Sequence, residues 1–224
     1  MKKFKKIFFS AFLLFFILSA ISCGSIGKDG EPGISCGGID FEESWFYDWE
    51  RTVACAQFLD KKNYDEYLVQ RLHFISGEIY FLRNEMKKAK KSFFSSLEGP
   101  DCLVRGGSLY YLKKTELAEN ESQIIKHKEE SCSAEESEIS LFDRYLHLLS
   151  VSVKGGKGSN LDKFYDLYSM VLGSVPVPLL FNIAVIAIEE EKHGQGYPLL
   201  KNITDRYPGF IKAEELKKKV KMND

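Results

Sequence analysis

An all-α fold of stacked antiparallel helix pairs is predicted by three features of this 224-residue chain. Beyond Gly38 the apolar residues recur at spacings of three and four, the period of a helix face. No stretch alternates apolar with polar residues for long enough to make a strand. The periodic runs are also short and are divided by Asn, Gly and Pro, which end one helix and turn the chain back for the next.

Taken in order, the first helix starts at a capping box, Asp40 with Glu43, and runs through Phe41, Trp45, Trp49, Val53 and Ala56 to about Leu59. Its tryptophans are expected to seal the apolar side of the hairpin that follows. In that hairpin Leu68, Leu72, Ile75, Ile79 and Leu82 form one stripe, ending near Arg83-Asn84. Met86, Ala89, Phe93 and Leu97 form the second, stopped by Gly99-Pro100. Two helices joined this tightly must bury their outer stripe against a neighbour. A second pair opens at Gly107, Tyr110 and Tyr111 and continues through Leu117 to Ile125, with a polar second helix. The third joins Ile139, Phe142, Leu146, Leu149 and Val153 to Leu161, Phe164, Tyr168 and Val171, with Ser159 and Asp162 as a capping box between them. The fourth runs from Leu179, Ile183, Ala184 and Ala187 into Leu200, Ile203 and Tyr207, closed by Pro208-Gly209. A charged last helix, Lys212 to Met222, suits a solvating cap.

Gly77, Tyr80, Ala89, Phe93, Leu97 and Pro100 resemble a tetratricopeptide repeat. Gly77 and Ala89 let two backbones approach, while Tyr80 and Phe93 fill the flanking space. His73 stands where that family usually has an aromatic or large apolar residue, and Pro100 arrives one position early. Gly196 and Tyr207-Pro208 carry the same resemblance into the fourth pair. The resemblance spans roughly Tyr64 to Gly209 and implies an α-solenoid, whose first helices line a concave surface that holds a peptide or a partner helix. On that surface it places Arg71, Phe74, Glu78 and Phe81 of the first pair and Phe181, Val185 and Ile188 of the last. Phe74 and Phe81, seven residues apart, are candidates to anchor a partner's apolar side chain, as aromatic hot spots do. Packing against the N-terminal helix explains them equally well.

The N-terminus addresses the chain to a compartment. Four lysines in Met1–Lys6 precede an apolar run, Ile7–Ile21, of 15 residues and then the small residues Ser22, Cys23, Gly24 and Ser25. That is the layout of a signal peptide over residues 1–22, and the run falls short of the roughly 20 residues a spanning helix needs. Ser19-Ala20-Ile21-Ser22-Cys23 resembles the lipobox of bacterial lipoproteins, and its Phe- and Ile-rich core is similar to the relaxed lipoboxes of spirochaetes. The resemblance implies that Cys23 becomes the acylated N-terminus, held in the membrane by more than one chain. Gly24 then favours the outer over the inner membrane. Residues 23–38, rich in Gly, Ser and Pro, form a tether, leaving residues 39–222 as the folded domain.

Without the four leader lysines, 27 basic residues face 32 acidic ones, a net charge of −5. A chain of that balance lacks the basic footprint of nucleic-acid binding. Of the remaining cysteines, Cys102 opens one expected hairpin and Cys132 closes it, so Cys102 with Cys132 and Cys36 with Cys55 is the favoured pairing in an oxidising compartment. Small buried thiols left reduced are the alternative. No CxxC is present, and His73, His127, His147 and His193 are scattered, so no metal or cofactor site is expected. Gly155-Gly156-Lys157-Gly158-Ser159 lacks the spacing of a phosphate loop, the acidic runs read as solvated faces, and no nucleophile motif appears; no catalytic residue is assigned. The function expected is a lipid-anchored cell-envelope protein that binds or scaffolds other envelope proteins or peptides. A surface-exposed lipoprotein engaging host molecules is the alternative.

Overall fold

The computed structural model describes residues 49–59, 65–114, 140–154, 160–171 and 175–221. The chain divides into two compact units, Met1–Ser35 and Cys36–Asp224, and every described residue belongs to the second. The signal peptide, tether, Cys23, Cys36, Cys132, the Asp40–Glu43 box, Ser159 and the polar helix of the second pair lie outside the described residues. Within them, all regular structure is helical: α1 (Trp49–Leu59), α2 (Glu66–Leu82), α3 (Met86–Leu97), α4 (Cys102–Lys114), α5 (Leu141–Lys154), α6 (Leu161–Met170), α7 (Val177–Glu189), α8 (His193–Arg206) and α9 (Ile211–Lys221).

Local chemistry sets the boundaries. Asp65 caps α2 by accepting from the Tyr67 N–H at 3.0 Å, and Asp101 caps α4 by accepting from the Leu103 N–H at 3.0 Å. Ser140 does the same for α5, accepting from the Asp143 N–H at 3.1 Å. The turn between α2 and α3 places Asn84 at φ 61°, a left-handed conformation that Asn tolerates. The turn between α7 and α8 places Glu191 at φ 61° as well. Both turns close through the same bond, Glu85 N–H to Tyr80 O and Lys192 N–H to Ala187 O, each 2.8 Å. Ala184 and Gly196 therefore stand in the register of Gly77 and Ala89, seven residues before and five after the left-handed residue. In each pair one of the two small residues is a glycine at a point of close approach. A Cβ on Gly77 would sit 2.6 Å from the Phe93 ring, and one on Gly196 would sit 2.8 Å from Ile188 and 3.0 Å from the Ala184 carbonyl oxygen.

Consecutive helices from α1 to α9 pack on one another, and α2 also meets α4, α7 and α9. Every residue of α2 from Leu72 to Leu82 is buried, and α7 is buried from Val177 to Ala184. The faces that carry Phe74, Glu78, Phe81 and Phe181 are therefore packed in the core rather than lining an open concave surface. One continuous core runs from Phe74 through Phe142, Phe164 and Ile183 to Phe210 and Ala213. Gln70 buttresses the connection between α3 and α4: its Nε2 donates to Ser96 O (2.7 Å) and Asp101 O (3.0 Å), and its Oε1 accepts from Asp101 N–H (2.7 Å).

Gly77→Ala forces a methyl into the Phe93 ring, and overpacking of this kind costs about 1–3 kcal/mol. Urea unfolding is expected to show that loss, whereas Gly209→Ala, with nothing within 4 Å, stays within about 0.5 kcal/mol of the parent.

Candidate functional site

The face expected to meet a partner is turned inward. Phe74 is fully buried and packs edge-on against Phe93, Tyr111 and Phe142, with ring centroids 5.9 to 6.1 Å apart. Phe81 packs on Tyr111 at 5.5 Å and on Phe181 at 6.0 Å. Phe81 and Phe181 come from the first and last expected pairs, so the two halves of the expected binding surface lie against each other. Phe74, Glu78, Phe81 and Phe181 are thus core residues, corrected from their assignment as a partner-binding face. Val185 and Ile188 are half-buried against the same core. Arg71 is engaged within the chain: its guanidinium bridges Asp101 at 2.8 Å and Asp143 at 2.7 Å, tying α2 to the start of α4 and to α5. The physical reason is the contact of α2 with α7 and α9, which closes what an open solenoid would leave as a groove.

At the centre of this closed face is a polar cluster that periodicity did not disclose. Glu78 on α2 is fully buried, and its Oε1 accepts from the Tyr145 hydroxyl of α5 at 2.5 Å and from the Tyr111 hydroxyl of α4 at 2.9 Å. Asn182 on α7 donates from Nδ2 to both phenol oxygens at 2.8 Å and to Pro178 O at 2.9 Å. Its Oδ1 accepts from Tyr110 at 3.2 Å. The first helices of the four expected pairs therefore supply its five members, two of them, Tyr110 and Tyr111, from α4. Burial first, and the Glu78 carboxyl beside them second, push the Tyr111 and Tyr145 phenols well above the usual tyrosine range; burial raises Tyr110 too. Glu78 and Asn182 sit on helices that read as apolar, and a lone polar residue inside an apolar helical run is the signal that marks such a cluster.

A second polar locus opens to solvent. A cleft of about 430 Å³ lies between α1, α2 and α3, with Val53 and Ala56 on one wall, His73, Ser76 and Tyr80 on the second, and Lys88, Lys91, Ser92 and Ser95 on the third. Gln57 closes one side by donating to the Tyr80 hydroxyl at 3.1 Å. His73, which departs from the repeat pattern, faces this cleft. Comparison with protein-family models, with curated proteins and with solved structures finds no match for this chain. Its chemistry therefore has to be read from these side chains.

Cys55 and Cys102 are each disulfide-bonded. Their expected partners, Cys36 and Cys132, fall outside the described residues. Among the described residues no group of His, Cys, Asp and Glu has the arrangement of a metal site, and no helix is long and apolar enough to cross a membrane.

Two outcomes follow from the closed face. Phe74→Ala is expected to cost about 3–5 kcal/mol in denaturant unfolding, the range for an aromatic removed from a packed core. The unfolded chain ionises its tyrosines near pH 10, while Tyr111 and Tyr145 hold their protons to higher pH when folded. Above about pH 10 the unfolded state binds fewer protons, so stability is full below that pH and falls as pH rises beyond it. Tyr145→Phe is expected to be less stable at pH 7 but to lose stability less steeply between about pH 10 and 12, measured by chemical denaturation across that window.

Proposed function

We propose that this chain is a lipid-anchored cell-envelope protein, seated in the outer rather than the inner membrane, whose tetratricopeptide-like helix pairs bind or scaffold other envelope proteins or peptides. The observation that carries this reading is the repeated hairpin. The α2–α3 and α7–α8 pairs share a left-handed turn, the same closing hydrogen bond and small residues at the same two positions. Repetition of a packing rule, rather than of a reactive constellation, suits a module that works by contact.

Disulfide bonding at Cys55 and Cys102 supports an oxidising compartment, in keeping with the lipobox-like Cys23. The inward turn of Phe74, Phe81 and Phe181 relocates partner contact to the outer helix surfaces. Among the described residues, Tyr67 of α2, Tyr168 and Met170 of α6 and Ile211 of α9 are the large apolar side chains exposed there. Contact through outer surfaces leaves the closed core intact, which an arrangement that opened α2 from α7 would not.

Metabolic labelling with radioactive palmitate tests the anchor. The parent chain is expected to carry label in the membrane fraction, and Cys23→Ser to carry none and to leave that fraction on washing. Label retained by the variant, or absent from the parent, would sink the reading.

A further inference from the structure

We propose that the cleft between α1, α2 and α3 is a binding site for a phosphate-bearing ligand. The first observation is a buried hydroxyl without employment. Buried or half-buried serines elsewhere in the molecule satisfy themselves: Ser96 donates to Phe93 O at 2.7 Å, Ser108 to Val104 O at 2.8 Å and Ser152 to Leu148 O at 2.8 Å. Ser76 does not. It is 2% exposed, and its Oγ has no hydrogen-bond partner among the described residues. A buried hydroxyl left in that state costs free energy that a ligand oxygen would recover. Ser92 and Ser95, from the facing helix, line the same space and bring two further side-chain hydroxyls to it.

The second observation is the charge of the lining. Among the described residues that line it, Lys88 and Lys91 carry the charge and none is a carboxylate. Lys88 is held at the rim by Glu85 at 2.6 Å, with its ammonium 5.2 Å from the centre of the Tyr80 ring. Lys91 forms no ion pair with any described residue, so it can turn toward an anion without breaking an existing bond. Hydroxyl donors on two walls below lysine cations match the several acceptor oxygens and the net negative charge of a phosphate group. Val53 and Ala56 on the remaining wall offer an apolar surface to the organic part of an ester. The volume is in the range of pockets that enclose a small molecule rather than a bare ion.

This site is independent of the reading of the chain as a scaffold, because its residues belong to α1, α2 and α3 alone. A phosphate ester reaches it either as a soluble metabolite or as a lipid headgroup, and two probes separate these sources. The full chain, purified in a non-ionic detergent, is titrated calorimetrically with glycerol 3-phosphate and, separately, with micelles of the same detergent doped with phosphatidylglycerol. Saturable binding to either probe is expected, weakened at least tenfold by Ser76→Ala and by Lys91→Gln. Binding to the first probe alone identifies a soluble ester, and binding to the second alone a headgroup. Ser76→Ala removes a hydroxyl that has no partner, so its melting temperature is expected to equal or exceed that of the parent, which separates lost binding from lost fold. Failure of both probes, or binding that both variants leave unchanged, would overturn the proposal.

Discussion

The Glu78 carboxyl, with no access to water, obliges the rest of this molecule to come together around it. Desolvating such a group costs several kcal/mol unless hydrogen bonds replace the lost water. Here the replacements arrive from Tyr111 and Tyr145, and Asn182 binds both phenols in turn. None of these partners is near Glu78 in sequence. Bonding this carboxyl and the phenols that serve it therefore requires α2, α4, α5 and α7 to occupy one arrangement, whereas apolar contacts alone would accept several.

That requirement explains why the molecule closes. In an open array of helix pairs each unit touches only its neighbours, and the first helices face a groove. Here the first helices face one another across the polar cluster, and the surrounding rings, Phe74, Phe81, Phe93, Phe142 and Phe181, fill the space that a groove would leave. Arg71 reinforces the same closure from the edge, joining α2 to Asp101 and Asp143. A cleft of about 430 Å³ lies on another side of α2, toward α1 and α3. Polar side chains of α2 are thus divided between two fates. Glu78 Oε1 is bonded inward by tyrosines of distant helices, and Ser76, two residues earlier, lines the cleft.

Much of the helical plan was readable from spacing. The α2–α3 hairpin lies where the two stripes and the Arg83-Asn84 stop place it, and α5 through α9 fall within a few residues of their expected bounds. These boundaries follow from local rules, since apolar period, caps and helix breakers act over one or two turns. The roles of Phe74, Phe81 and Phe181 were not readable in the same way. A stripe shows that a helix has a face to bury, but not whether a neighbour or a partner buries it. The cleft was hidden for the same reason: its serines and lysines come from facing helices and have no shared motif. His73, an oddity against the repeat pattern, was the one visible hint of it.

By itself the sequence determined an all-helical chain, the turns that pair its helices, and the small residues Gly77 and Gly196 at which those pairs touch. Each of these is a matter of backbone geometry and nearest-neighbour packing. Only the tertiary structure decided that the expected concave face is core, that four helices meet at one buried polar cluster, and that a polar cleft lies between α1, α2 and α3. Such outcomes depend on contacts between different helices, from Gln57 with Tyr80 to Phe81 with Phe181, and the free energy of those contacts has no signature in local period.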